Sequence, residues 1–279
     1  MGIKCDMFLQ GAHLLPLVLK FGQISAMDIF SRKYLNAMRD IDIARTKNYG
    51  AFPYEIVFLF TGILPIYFML GRESMCMDIL EVWGLPSDGN IMRIKAVLRK
   101  FGKNWHNLPT ACQLYLGCID PNIVIDGVKF DAWIPAPTAL AELGKDHICR
   151  SVGLIEVLSS GCRAYLRVGR DDDAVQLARI ALSPDQHTIK TSERMSCHSV
   201  LGQVAAKRGN LDEANGHFAD AFEVSKQSGL PMFEVLVARD WKKHLLEPHG
   251  RDCSVAEAAI DAACAEMKKT RAELASVLL

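Results

Sequence analysis

The sequence lacks a surplus of charge of either sign. Its 279 residues carry 32 Lys and Arg against 32 Asp and Glu, so the formal net charge is zero. A protein that binds nucleic acid by counterion release normally carries a basic surplus, so this class is disfavoured. Hydrophobic residues make up 50% of the chain, which excludes global disorder. Glycine (20) and proline (11) are at ordinary levels, which excludes fibrous and low-complexity classes.

Cysteine spacings typical of metal or redox sites are also absent. Nine cysteines are present, but none forms a Cys-x-x-Cys pair, so neither a zinc ribbon nor a thioredoxin-type site is indicated. The odd count and the lack of an Asn-x-Ser/Thr site favour a reducing, intracellular and cytoplasmic location. Asp6 stands where the acylation pattern requires Ser or Thr, which disfavours lipidation at Gly2 and Cys5.

The apolar runs are shorter than a bilayer requires. The strongest candidate, Ile56–Leu70, has 15 residues interrupted by Gly62 and Pro65, whereas a spanning helix needs about 20. We expect a buried helix here, with membrane contact as the alternative. A basic run from Arg93 to Lys103 is interpreted as a solvated helix face. Its alternatives are a contact with an anionic membrane, with a calmodulin-like partner or with nucleic acid.

Motifs of common enzyme classes are missing. There is no P-loop, no Gly-x-Gly-x-x-Gly fingerprint, no His-Glu-x-x-His helix and no Gly-x-Ser-x-Gly elbow. His244 and His249 are separated by Pro248 and are expected in a loop. Cys197 and His198 are adjacent in a predicted helix, where they are expected to pack. The sequence therefore predicts no catalytic residue, no metal site and no cofactor.

Apolar residues recur with the helical period in almost every patterned segment. Several prolines and a short β-like run at Ile123–Ile125 interrupt this pattern. We predict a helical N-terminal part (1–120), a connection (121–138) and a helical domain (139–279). The predicted helices span about 24–45, 73–83, 90–101, 109–116, 139–168 with a break near 144–145, 172–182, 191–208, 211–228, 231–246, 254–266 and 270–278.

The segment from Cys197 to Ala221 has the pattern of a helix–turn–helix unit. Gly202 and Ala214 are small, so the paired helices can approach closely. Gly209 permits the left-handed backbone that ends the first helix. The fixed points of the unit are Leu201, Gly202, Gly209, Ala214, Phe218 and Ala221.

Related patterns occur elsewhere in the chain. An upstream copy carries Tyr165, Gly169 and Ala174, and Asp171–Asp173 are expected to cap its second helix. A degenerate copy at about 55–84 repeats the Tyr-x-x-x-Gly spacing. Its equivalent positions are Tyr67, Gly71, Cys76, Leu80 and Trp83. A fourth copy pairs 231–246 with 254–266, and its core positions are predicted at Phe233, Leu236, Val237, Ala258, Ala262 and Ala265.

The order of these residues resembles the tetratricopeptide repeat, with Leu-Gly in helix A, Gly at the turn, and Ala, Phe and Ala along helix B. The period of about 40 residues is more similar to the longer-helix modules of kinesin light chains and bacterial signal-transduction ATPases than to the standard repeat of about 34. His198 and Lys226 replace the usual Trp of helix A and the Pro closing helix B. The resemblance implies an all-α fold, an α-solenoid of tetratricopeptide-like antiparallel helix pairs.

Stacked pairs of this family leave a concave groove lined by the A helices. The repeat register places eight residues there: Ser159, Arg163, Arg167, Ser199, Gln203, Lys207, Glu234 and Lys242. The basic members favour an acidic or carboxylate-ending peptide. The family's carboxylate clamp is not matched, because Ser159 and Ser199 stand where it carries Lys.

The first functional hypothesis is a non-catalytic scaffold or adaptor that binds a partner peptide or helix in this groove, and not nucleic acid. Two alternatives remain open. One is an enzyme or small-molecule sensor on a helical solenoid. The other is a membrane-associated helical protein that uses Ile56–Leu70.

Overall fold

The computed structural model describes residues 18–39, 67, 69–72, 75–76, 78, 108–125, 127–145, 156–184 and 189–278. Helices dominate these residues, which confirms the all-α class. They are α1 (Ile24–Arg39), α2 (Leu108–Ile119), α3 (Phe130–Trp133), α4 (Pro137–Gly144), α5 (Val157–Arg167), α6 (Asp171–Leu182), α7 (Thr191–Lys207), α8 (Leu211–Gln227), α9 (Pro231–Trp241), α10 (Ser254–Glu266) and α11 (Ala275–Leu278).

Predicted and observed helix bounds agree closely from α6 to α8 and in α10. The predicted helix 231–246 consists of two helix types: α9 ends at Trp241, and a π-helical turn, Lys242–Leu246, continues it. At the C-terminus only Ala275–Leu278 of the predicted helix 270–278 is α-helical. The predicted helix 90–101, the basic run, Leu80, Trp83 and most of Ile56–Leu70 lie outside the described residues.

The first of two compact units comprises Met1–Leu15, Ile24–Pro135 and Glu142–Val157. Strands β1 (Val124–Ile125) and β2 (Val128–Lys129) form an antiparallel hairpin in it. The predicted connection 121–138 therefore holds this hairpin, α3 and the start of α4.

A close contact between α2 and α3 organises the described core of this first unit. Phe130 is fully buried. Its ring lies against Gly117 of α2, where an added Cβ would come within 2.0 Å of the ring. Glycine at this position is therefore what allows the aromatic ring to reach the core.

The second unit comprises Pro16–Gln23, Ala136–Ala141 and Leu158–Leu279. From α6 to α10 each described helix packs against the next one along the chain, and the α7–α8 contact is the most extensive of these. Gly202 of α7 lies against the buried ring of Phe218 in α8, as the small residue predicts. Gly161 of α5 lies in the same way against Leu177 of α6.

The residues predicted to build the repeats take the expected positions. Gly71, Gly169 and Gly209 have positive φ angles of 75°, 75° and 79°. The predicted apolar positions of the two better copies, and Tyr67 of the degenerate one, are buried: Tyr67, Tyr165, Ala174, Leu201, Ala214, Phe218 and Ala221. Gly202 is buried with them.

One half of the fourth copy was predicted in the wrong register. Phe233, Leu236 and Val237 of α9 are buried, as predicted. Ala258, Ala262 and Ala265 of α10 are exposed instead. The buried positions of α10 are Ala256, Ala259, Ile260, Ala263 and Cys264. A shift of one residue rotates a helix face by about 100°, so the buried face of α10 differs from the predicted one by one residue.

Candidate binding pocket at the last helical pair

Two of the eight residues predicted to line the groove are buried instead. Ser159 is 3% exposed and Ser199 is 5% exposed, so neither presents a surface to a partner. Both belong to helices that bury a wide face, α5 and α7, in which a small hydroxyl fits the core. Among the other six, Arg167 and Lys207 are exposed, and Arg163, Gln203, Glu234 and Lys242 are partly exposed.

Lys207 and its neighbour connect one helical pair to the next. The Nζ atom of Lys207 lies 2.7 Å from Oδ2 of Asp171, and Arg208 lies 2.6 Å from Asp172. The acidic start of α6 thus pairs with the basic end of α7. Arg251 pairs in the same way with Asp212 of α8, at 3.2 Å. Lys207 is therefore part of a surface ion pair between α7 and α6.

The structure brings predicted residue Lys242 into a pocket. This pocket has a volume of about 310 Å³ and lies at the C-terminal end of α9. Its lining residues are Arg239, Lys242, Lys243, Glu247, Glu257, Ile260, Arg271 and Leu278. Four of them are cationic and two are anionic, and two further carboxylates, Asp240 and Asp261, pair with the lining residues Arg239 and Arg271.

Glu257 is the centre of the ion pairs in this pocket. Its carboxylate accepts hydrogen bonds from both Lys242 and Arg271. These two hydrogen bonds lower the pKa of Glu257. The pKa of Lys242 is raised, first by its bond to Glu257. Lys242 also lies 3.4 Å from Glu247. Both partners therefore stay ionised near neutral pH.

The remaining cations of the pocket are held differently. Arg239 donates two hydrogen bonds to Oδ1 of Asp240, at 2.7 and 2.9 Å, and one to the carbonyl oxygen of Val277, at 3.1 Å. Its guanidinium is thereby fixed at the pocket wall. Lys243 is exposed, and no residue in the described ranges forms an ion pair with it. A ligand that binds Lys243 therefore does not have to displace a carboxylate from it.

The π-helical turn explains how these side chains reach one pocket. The Lys242 carbonyl oxygen accepts a hydrogen bond from the N–H of Glu247, five residues on, at 3.0 Å. A π turn widens the helix, and such turns occur frequently at functional sites. Lys242, Lys243 and Glu247 all lie on or directly after this turn.

Asp240, the partner of Arg239 at the pocket wall, also feels the charge of Arg163 on α5. Burial by itself would raise the pKa of Asp240, but the charges of Arg239 and Arg163 outweigh burial and hold it below its usual range. Arg163 also lies near α7, with its NH2 atom 3.4 Å from the Ser196 hydroxyl. Predicted groove residue Arg163 therefore belongs to a largely buried charge network.

One cluster suited to a metal ion was missed by the sequence analysis. His198, His217 and Asp220 each place a ligand atom within 4.8 Å of the others. The available signal was the i, i+3 spacing of His217 and Asp220, which puts both on one face of a helix. His198 is 19 positions before His217 in the chain, and only the antiparallel pairing of α7 with α8 brings it to them.

No family model matches this chain, and no match is found among the curated proteins or among the solved structures. None of the helices in the described ranges is both long and apolar enough for a bilayer span.

Proposed function

We propose that this chain is a non-catalytic interaction module whose tetratricopeptide-like helical pairs form an α-solenoid. We further propose that it binds an acidic or carboxylate-ending segment of a partner protein at the basic end of its A helices. The observation that carries the second proposal is the pocket with four cationic side chains at the end of α9. Paired cations recognise carboxylates through charge-assisted hydrogen bonds.

The repeat interpretation is supported by turns of the same geometry. The N–H of Arg170 donates to the Tyr165 carbonyl oxygen at 2.9 Å, and that of Arg72 donates to Tyr67 at 2.9 Å. Both are the six-to-one bond of a Schellman turn with glycine at the left-handed position. In each turn the arginine also stacks on the tyrosine ring, at 4.8 and 5.4 Å from the ring centroid. Two helix ends with one sequence pattern thus share four structural features: the positive φ, the hydrogen bond, the stacked cation and the buried ring.

The stacking interpretation is supported by contacts between helices that are not adjacent in the chain. Besides its contact with α8, α7 packs against α9. In a solenoid, the first helices of successive pairs lie side by side. The ion pairs from α6 to the end of α7, and from α8 to Arg251, add the same kind of link between neighbouring pairs.

The pocket is tested by charge reversal at Lys243. We expect Lys243→Glu to weaken binding of a fluorescent peptide with several acidic residues and a free C-terminus by about tenfold or more, because repulsion replaces attraction in a confined site. Fluorescence anisotropy of the full chain measures the affinity. Arg163 is unsuitable for this test, since Arg163→Glu would place a second carboxylate near Asp240, whose side chain is only 17% exposed.

Arg179→Glu is the matched control, because Arg179 is an exposed cation on α6 outside the pocket. It makes the same change in net charge and should leave the affinity close to that of the unmodified chain. The affinity of a C-terminally amidated version of the peptide shows how much the terminal carboxylate contributes to binding. Equal weakening by both substitutions would contradict the pocket assignment, since it would show only a long-range effect of net charge.

The pocket volume favours one second candidate, a sensor of a small anionic molecule. At about 310 Å³ the cavity is at the lower end of the range for small-ligand sites. Competition in the anisotropy experiment distinguishes the two candidates. Displacement of the peptide by a small dicarboxylate or by inorganic phosphate at low concentration would favour the sensor. Displacement only by longer acidic peptides would favour the scaffold.

A further inference from the structure

Two histidines and an aspartate meet between the helices of the α7–α8 pair. His198 belongs to α7, whereas His217 and Asp220 belong to α8. The Nδ1 atom of His198 lies 3.7 Å from Oδ2 of Asp220. The two imidazole rings have their centroids 6.0 Å apart and are tilted by 45°. These groups therefore face one small volume from two sides.

The histidine nitrogens in this cluster are left unsatisfied. The Nδ1 atoms of His198 and His217 are both buried, and no residue in the described part of the chain gives either a hydrogen bond. Buried polar atoms are nearly always hydrogen-bonded, so an exception requires an explanation. A bound cation that accepts both lone pairs provides one.

We propose that His198, His217 and Asp220 bind a divalent transition-metal ion, with Zn²⁺ as the first candidate. Two imidazole nitrogens and one carboxylate oxygen are a common ligand set for zinc, in which water completes the coordination. Hard cations such as Ca²⁺ and Mg²⁺ prefer sites made of oxygen ligands. The ligand types therefore select a transition metal over the alkaline-earth ions.

The distances fit a site that closes around its ion. In tetrahedral zinc with bonds of about 2.0–2.1 Å, ligand atoms lie about 3.3–3.5 Å apart. The three ligand atoms lie within 4.8 Å of one another, so each would move inward by about 1 Å or less, which side-chain rotation can supply. The separation of 3.7 Å between His198 and Asp220 is already close to the required value.

The surroundings of the cluster support binding and leave one side open. The Glu213 carboxylate lies 4.0 Å from Nε2 of His217, which is too long for a hydrogen bond but adds a negative charge beside the cluster. The side chain of Asp220 is 63% exposed, against 18% for His198. Solvent can therefore reach the ion from the Asp220 side, so the proposed site keeps a coordination position for water.

A metal here would connect α7 to α8 across their pairing surface. An ion that binds only the folded chain stabilises it in proportion to its affinity and concentration. We therefore expect Zn²⁺ to raise the melting temperature of the chelator-treated full chain. Isothermal titration calorimetry of the same protein should give a stoichiometry of one Zn²⁺ bound per chain, at this cluster.

Two substitutions test the assignment without disturbing the core. Asp220→Asn and His217→Gln change partly exposed side chains and should each weaken Zn²⁺ binding by at least about tenfold. His249→Gln is the matched control, because His249 is an exposed histidine outside the cluster, and it should leave the affinity unchanged. Ca²⁺ and Mg²⁺ should not compete.

The cysteines of the chain are the main competing source of zinc ligands. Co²⁺ used as a spectroscopic probe distinguishes them, since thiolate ligation adds charge-transfer bands that imidazole and carboxylate ligands lack. We expect a Co²⁺ spectrum without these bands, and its loss in Asp220→Asn. A thiolate spectrum, wild-type Zn²⁺ affinity in both cluster variants, or no Zn²⁺ binding by the unmodified chain would each overturn the proposal.

Discussion

Gly202→Ala is expected to lower the free energy of unfolding by about 1–3 kcal/mol, the usual cost of overpacking a core. An added Cβ would lie 2.8 Å from two atoms of the Phe218 ring and 3.2 Å from a third. The ring cannot move aside easily, because Phe218 is fully buried and stacks on Trp241 with centroids 6.4 Å apart. Gly202→Leu should cost more, since it adds three further carbon atoms at the same contact.

Gly216→Ala is the matched control for this prediction. Gly216 lies in α8, the partner helix, and no atom lies within 4 Å of where its Cβ would be. The same substitution should therefore stabilise the chain by about 0.5–1 kcal/mol, because alanine favours a helix over glycine. Denaturant unfolding measures both variants. If Gly202→Ala were as stable as Gly216→Ala, close approach of α7 and α8 would not depend on this glycine.

Phe218→Leu provides a second check on the same contact. The smaller side chain should remove part of the clash, so the double variant should be more stable than the sum of the two single changes predicts. Residues in direct contact show such coupling, whereas distant residues do not. If the two changes in unfolding free energy were strictly additive, the destabilisation by Gly202→Ala would not come from its contact with Phe218.

The sequence predicted the helical pairs because their signals are local. The glycine that ends a helix, the small residue at a close contact and the aromatic side chain opposite it all fall at fixed spacings. Gly169, Gly209 and Gly202 are predicted from their immediate neighbours, and each takes the predicted role. The bounds of α7 and α8 follow from the same signals, because a helix ends where its turn chemistry begins.

The features that were missed depend on tertiary contacts. The repeat register placed Ser159 and Ser199 at the groove surface, but neighbouring helices bury them. The π turn after Trp241 has no compositional signature, yet it positions Lys242 and Lys243 at the pocket. Seven of the eight pocket residues lie on this turn or after it, and the alanine register of α10, which follows the turn, was also wrong. The candidate pocket could therefore not have been assembled from repeat spacing alone.

Asp240→Asn is expected to lower the free energy of unfolding at pH 7 by about 3 kcal/mol, at the low end of the range for breaking a buried ion pair. The side chains of Asp240 and Arg239 are 17% and 14% exposed. Asparagine cannot neutralise the guanidinium groups of Arg239 and Arg163, which both act on this position. Asp172→Asn is the control, because its ion pair with Arg208 is exposed, and it should cost at most about 0.5 kcal/mol.

The pH dependence of this loss distinguishes a charge effect from a packing effect. The pKa of Asp240 is lower in the folded chain than its usual value, so its ionised form contributes stability above the unfolded pKa of about 3.9. That contribution disappears as the pH falls through the folded pKa, where the carboxyl group becomes protonated. The difference between Asp240→Asn and the unmodified chain should therefore shrink below about pH 4, whereas protonation of the neighbouring His244, which favours ionised Asp240, should not reduce it at higher pH. A difference that stays the same down to pH 3 would mean that Asp240 stabilises the fold by its shape and hydrogen bonds, independently of its charge.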